Sequence, residues 1–332
     1  MSTDIATNPA SATASTLSLM VRQIRYEATG IHSYELVHPQ GDDLPVFTAG
    51  AHLDIHIQPG LIRQYSLCND PTDTKRYVIA VLKSETGLGG SKTLHETLRV
   101  QDMVKVSVPR NHFPLQPDAR KILLLAGGIG ITPLKSMIHT LDKWSMDYQL
   151  HYCARDASCA AFTAAFADHA KVHLHFDNGD PARGLDIAAL LNASEDGTHV
   201  YFCGPPGFMQ ACSQATQEWP DGTVHCEYFK APVAERKDKE SDSEFDGRFK
   251  VRIASTGQQI GVPADKSLVE ALADAGIELE TSCVSGLCGM CKVRYLEGEV
   301  DHQDYILSPD EQSEYLTACV SRAKSELLVL DL

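Results

Sequence analysis

The chain has 332 residues, 43 % apolar and 22 % charged, with 44 Asp/Glu against 29 Lys/Arg and a net charge of −15. At roughly 100–200 residues per domain that length predicts two or three domains, and the composition excludes disorder throughout. The acidic excess repels phosphate backbones and anionic lipid, which argues against a nucleic-acid or membrane-surface role.

Residues 1–16 are rich in Ser, Thr and Ala, with neither a basic start nor an apolar core. They read as a disordered tail rather than a secretory signal. The longest uncharged apolar stretch, 122–134, is too short to span a bilayer. Ten cysteines in so long a chain do not resemble a secreted disulfide framework, so a reducing, cytoplasmic setting is expected.

From 17 to 116, apolar and polar residues alternate in short runs, as in Leu53-Asp54-Ile55-His56-Ile57 and Met103-Val104-Lys105-Val106. A period of two predicts antiparallel strands, closed here as a small barrel. Arg63-Gln64-Tyr65-Ser66-Leu67 ends one strand, and Gly87-Leu88-Gly89-Gly90-Ser91 precedes a short helix with Ser91 as its expected N-cap. The Gly90 and Ser91 amides can face a phosphate, with Arg63 as its charge partner. Taken singly, Arg63 reads equally as a solvated arginine and Ser91 as a plain cap.

From 117 to 230 the rhythm changes to unbroken apolar strands alternating with helical stretches: 122–125, 148–153, 172–176, 200–203 and 224–229. Strands without alternation are covered on both faces, the pattern of a parallel α/β sheet. Two turns follow such strands. Gly127-Gly128-Ile129-Gly130-Ile131-Thr132-Pro133 lacks the Gly-x-Gly-x-x-Gly spacing, and Pro133 is expected at the first helical position. Cys203-Gly204-Pro205-Pro206-Gly207 closes the later strand. Two such turns at strand C-termini predict a nucleotide crevice, although each alone is only a tight connection. His173 and His175 alternate on a strand and read as surface or packing residues.

Residues 231–246 include nine charged residues among the last twelve and predict a flexible tether. The third domain, 247–332, opens with a strand at Phe249. A helix follows with a capping box, Ser267 and Glu270, and a stop at Gly276. It then carries Cys283-x4-Cys288-x2-Cys291 and Cys319, the plant-type [2Fe–2S] spacing. Ser282, Ser285, Gly286 and Gly289 leave room for backbone N–H groups to approach sulfur. Four-cysteine zinc sites usually pair two C-x2-C units, so the x4 gap and the lone fourth cysteine argue against zinc.

In this order the motifs resemble those of the phthalate dioxygenase reductase family, including the reductases of vanillate demethylase and phenoxybenzoate dioxygenase. Arg63-x-Tyr65-Ser66-Leu67, Gly89-Gly90-Ser91, the 127–133 turn, Cys203-Gly204-Pro205, Glu227-Tyr228-Phe229 and the four cysteines carry the resemblance, which runs from Leu17 to Leu332. It implies an FMN-binding antiparallel barrel, an NAD-binding α/β domain and an α+β β-grasp ferredoxin domain. Arg63, Tyr65, Ser66, Ala80, Val81 and Lys83 would line the flavin, with Gly90 and Ser91 at its phosphate. Gly127, Gly128, Gly130, Thr132, Gly204 and Pro205 would border the nicotinamide nucleotide. Cys203 would approach the nicotinamide ring, and Phe229 would lie against the isoalloxazine; ordinary strand-end packing is the plainer account of Phe229. Leu88 replaces the basic residue the family pattern implies beside the phosphate. Arg155 would favour NADPH, Asp156 opposes it, and NADH is the expected donor.

The resemblance implies that NADH passes electrons through FMN and [2Fe–2S] to a separate Rieske oxygenase acting on aromatic substrates by dioxygenation or O-demethylation. Plant-type clusters lie near about −400 mV and Rieske centres higher, so that transfer runs downhill. The chain has no Cys-x-His pair for a Rieske centre of its own. Two alternatives stay open: an FAD enzyme with another acceptor, like hybrid-cluster-protein reductases, or a non-catalytic electron-carrier or iron-sensing module. The chain is expected to be a monomer on its own.

Overall fold

The computed structural model describes residues 16–59, 61–85, 89–192, 195–230, 248–281 and 283–332. The expected tail, the tether 231–246, Gly87, Leu88 and Ser282 lie outside the described residues, apart from Thr16.

The first sheet holds β1 (Thr16–Ala28), β2 (Ile31–Val37), β3 (Ala51–Gln58), β4 (Leu61–Ser66), β5 (Tyr77–Leu82), β6 (Met103–Ser107) and β7 (Arg110–Asn111), with α1 (Gly90–Thr97) between β5 and β6. Its order is β4-β3-β6-β1-β2-β5, every pairing antiparallel. A bridge from Leu67 to Ile79 joins the two edges and closes the barrel. The apolar phase of each strand points inward: Leu19, Val21, Leu53, Ile55, Val104 and Val106 form its core.

The second sheet holds β8 (Lys121–Gly127), β9 (Tyr148–Ala154), β10 (Val172–Phe176), β11 (Thr198–Cys203) and β12 (Val224–Glu227), with α2 (Ile131–Lys143), α3 (Thr163–Phe166), α4 (Ile187–Asn192) and α5 (Pro206–Ala215) in the connections. The strands are all parallel in the order β10-β9-β8-β11-β12. The chain therefore reverses its winding between β8 and β11. Open α/β sheets bind ligands beyond the strand C-termini at such a reversal. Both glycine turns lie there.

The third sheet is mixed, ordered β14-β13-β19-β15-β17. It contains β13 (Phe249–Ile253), β14 (Gln259–Val262), β15 (Lys292–Glu297), β17 (Tyr315–Thr317) and β19 (Leu327–Leu330). The small pair β16 (Val300–Asp301) and β18 (Arg322–Ala323) and the turn α7 (Pro309–Gln312) accompany it. Helix α6 (Leu268–Asp274) has the expected capping box and buries Leu268, Ala271 and Leu272 in this domain's core. Among the described residues no helix is long and apolar enough to cross a membrane.

Two local expectations change. Gly89, in the left-handed region at φ 86°, caps α1 in place of Ser91. Ser91 lies inside the helix, and its hydroxyl accepts from the Ser84 N–H at 3.0 Å. Pro133 occupies the third position of α2, because a 3₁₀ turn, Gly128–Gly130, comes first and Gly130 becomes the cap.

Candidate functional site

Barrel closure brings the end of β4 beside β5, and a cavity of about 740 Å³ opens against them. Arg63, Tyr65 and Ser66 form one wall, Ala80 and Lys83 a second, and Gly90 and Ser91 one end. A Cβ on Gly90 would lie 2.7 Å from Arg63 Cγ, so glycine there lets the arginine pack across the helix start. Lys83 also pairs with Glu96 at 3.1 Å. Val81 does not join this cavity: fully buried, it belongs to the barrel core.

The α/β sheet supplies the facing wall. Thr132, almost fully buried, donates its hydroxyl to Ile129 O at 3.0 Å and lines the cavity with Phe229, which is 38 % exposed. That exposure disfavours plain core packing for Phe229. Cys283, Ser285, Leu287 and Tyr305 from the third domain complete the enclosure. One cavity thus has walls from all three sheets.

A second cavity, about 1390 Å³, runs along the C-terminal ends of the parallel strands. Gly127, Gly128, Arg155 and Pro205 line it, as do Cys153, His175 and Asp177. It meets the first cavity at Leu82 and Ile129, which line both. Gly130, Cys203 and Gly204 lie behind these walls instead. A Cβ on Gly130 would come within 2.1 Å of Cys203 O, and one on Gly204 within 2.6 Å of Phe208. Cys203 is fully buried, and burial pushes its thiol well above the ordinary range. Its place is behind the turn, with no face on either cavity. His175 also bonds His151 at 3.0 Å.

The pattern reading missed Glu227. Its side chain, 16 % exposed, accepts from Ser66 Oγ at 3.2 Å, and one oxygen lies 4.0 Å from His52 Nδ1. Burial raises this carboxyl to about 7, partly offset by the Ser66 hydrogen bond. His52 does not compensate, because burial, reinforced by His112 and Arg110, lowers it to about 3. Glu227 stood inside a quoted motif, but nothing local marks a strand-end glutamate as buried against another domain.

The four cysteines converge. Cys283 interacts with Cys288 and Cys319, and Cys319 with Cys291. Backbone N–H groups aim at the sulfurs: Ser285 and Leu287 at Cys283, 3.4 and 3.3 Å, and Gly286 at Cys319, 3.3 Å. The neighbouring thiols and these amides hold Cys283 well below the usual thiol range. A side chain at Gly286 would run into Val320, 2.8 Å away, so the loop stays closely wrapped. Among the described residues no three His, Cys, Asp or Glu side chains converge on a single-ion site. Soft thiolates ringed by amide donors suit an iron–sulfur cluster.

Comparison with known proteins agrees with this geometry. A family model described as "2Fe-2S iron-sulfur cluster binding domain" matches residues 251–324. The chain is 52 % identical over 323 residues to the reductase subunit of tert-butanol monooxygenase / tert-amyl alcohol desaturase from Aquincola tertiaricarbonis, covering 95 % of this chain and 96 % of that one. It is 46 % identical over 325 residues to a vanillate O-demethylase oxidoreductase from Pseudomonas sp. strain HR199, covering 95 % and 100 %. Among solved structures, phthalate dioxygenase reductase, described as a modular structure for electron transfer from pyridine nucleotides to [2Fe–2S], superposes with a TM-score of 0.70. It is 40 % identical, over 96 % of this chain and 98 % of that chain.

Proposed function

The chain belongs to the phthalate dioxygenase reductase family, and from that premise we propose that it is the NADH-dependent reductase component of a Rieske oxygenase that dioxygenates or O-demethylates an aromatic substrate. The observation that carries this reading is the three-walled cavity, where β4, Phe229 and Cys283 face one space. When bound, flavin and [2Fe–2S] together turn the electron pair of a hydride into single electrons.

The chain's own residues then have definable tasks. Arg63, Gly90 and Ser91 receive the flavin's phosphate end, where a guanidinium and a helix N-terminus both favour an anion. Tyr65, Ser66, Ala80 and Lys83 would line the ring, and Phe229, exposed on the same cavity, would shield it. Gly127, Gly128, Thr132 and Pro205 border the nicotinamide nucleotide, while Arg155 lies beside its far end. Gly130, Cys203 and Gly204 pack behind that turn as its backing, and Cys203 acts through the shape of the wall. The thiolates of Cys283, Cys288, Cys291 and Cys319 hold the iron.

FMN is the flavin in this reading, since a terminal phosphate dianion suits Arg63 at a helix start. Acid release followed by chromatography tests it, and recovery of FAD would transfer the assignment. The chain works as a cytoplasmic monomer between encounters with its oxygenase. Mixing reductase, NADH and a candidate Rieske oxygenase should give substrate oxidation coupled to NADH consumption. Failure of any Rieske centre to be reduced would defeat the proposal.

A further inference from the structure

Arg110 links the barrel to the cysteine loop. Arg110 Nη1 reaches Met290 Sδ at 2.8 Å, and Nη2 donates to Asp54 Oδ2 at 2.6 Å. Met290 lies between Cys288 and Cys291. The pair is oriented and largely dry: the Arg110 side chain is 23 % exposed and that of Asp54 only 4 %. Gln64 Nε2 fixes the other carboxylate oxygen at 3.0 Å. The guanidinium therefore bridges the loop and the carboxylate, with its positive end on the loop. Beside it His112 stacks on His52 with ring centroids 5.4 Å apart, and a Cβ on Gly289 would sit 3.7 Å from His112. The contact is a packed face.

We propose that Arg110 is a positioning residue for internal electron transfer, holding the cysteine loop on the barrel and presenting the positive end of the Arg110–Asp54 pair to the cluster. The proposal rests on the reading of the four cysteines as [2Fe–2S] ligands. Reduction adds one electron and no proton, so one negative charge arises beside the loop. A fixed positive charge in a poorly solvated contact stabilises that charge, and local charge and hydrogen bonding set cluster potentials. Arg110 thus eases the step from flavin to cluster, and Asp54 opposes it from farther away while keeping the guanidinium aimed.

The test is an anaerobic redox titration of the full-length holoprotein, followed by the electron paramagnetic resonance signal of the reduced cluster. Arg110→Gln should lower the midpoint potential by about tenfold in the reduction equilibrium, ~59 mV for one electron. Asp54→Asn should raise it, and Arg110→Lys should restore a value near wild type. Because Arg110→Gln strands a buried carboxylate, the double variant Asp54→Asn/Arg110→Gln covers the case in which the single variant fails to fold. Its midpoint should fall below that of Asp54→Asn by a similar amount. Opposite signs for the two charges are the decisive outcome, since mere loosening of the contact would move both the same way. Unchanged midpoints, or shifts of one sign, would overturn the proposal. Wild-type protein with neither two irons per chain nor the reduced-cluster signal would instead defeat the [2Fe–2S] reading, and the proposal with it.

Discussion

Burial at the meeting of two domains pushes the Glu227 carboxyl up to about 7. Its folded pKa stands above its ordinary 4.5, so the folded state keeps a proton that the unfolded chain has lost. Its contribution is fully present below about pH 4.5 and is lost as pH rises towards 7, by about 3 kcal/mol in total. Glu227→Gln should therefore gain thermal stability relative to wild type between pH 5 and 7.5. Melting curves with a pH-independent difference would contradict that burial. Two glycines of one turn make a second comparison. A Cβ at Gly128 meets nothing within 4 Å, so alanine there meets only the left-handed backbone at φ 53°, about 1 kcal/mol. At Gly130 the Cβ would strike the Cys203 carbonyl, and alanine should cost about 3 kcal/mol and widen the crevice. Melting temperatures of the two variants, with NADH titrations, check this; equal effects would refute it.

At the scale of elements, what sequence reading captures is whatever repeats along the chain. Alternation locates the barrel strands, apolar runs locate the parallel strands, and Ser267 and Glu270 announce α6. Caps shift from their expected places: the 3₁₀ turn before α2 displaces Pro133 from its first position, and Gly89, in the left-handed region, takes the cap of α1. Val81 shows that strand alternation outranks motif adjacency, for its neighbours Ala80 and Leu82 line the cavity while it faces the core. Glu227, His52 and Arg110 were illegible because each has a partner in another domain. The cysteine loop was legible as a ligand set from spacing alone. Cys288→Ser should remove the cluster's visible absorption and paramagnetic signal, while NADH still bleaches the flavin in the same sample. Loss of flavin bleaching too would contradict separate folding of the third domain.

For the whole molecule, charge and layout point the same way. Residues 249–332 carry 14 Asp/Glu and 7 Lys/Arg, so almost half of the acidic excess sits on a quarter of the chain. That quarter holds the cysteines from which electrons leave. An acidic exit domain steers towards a basic face on an oxygenase, and such steering is screened by salt. Electron transfer to the oxygenase should slow severalfold between low and physiological ionic strength; a flat dependence would leave the charge a solubility feature. The proposed route takes electrons across three domains in one order, from the strand-end cleft through the barrel to the cysteine loop. Anaerobic mixing of the holoprotein with NADH, followed at flavin and cluster wavelengths together, tests it directly. Flavin bleaching should come first and cluster reduction second. A cluster reduced by NADH in flavin-stripped protein, or left oxidised beside a fully bleached flavin with no acceptor present, would contradict it.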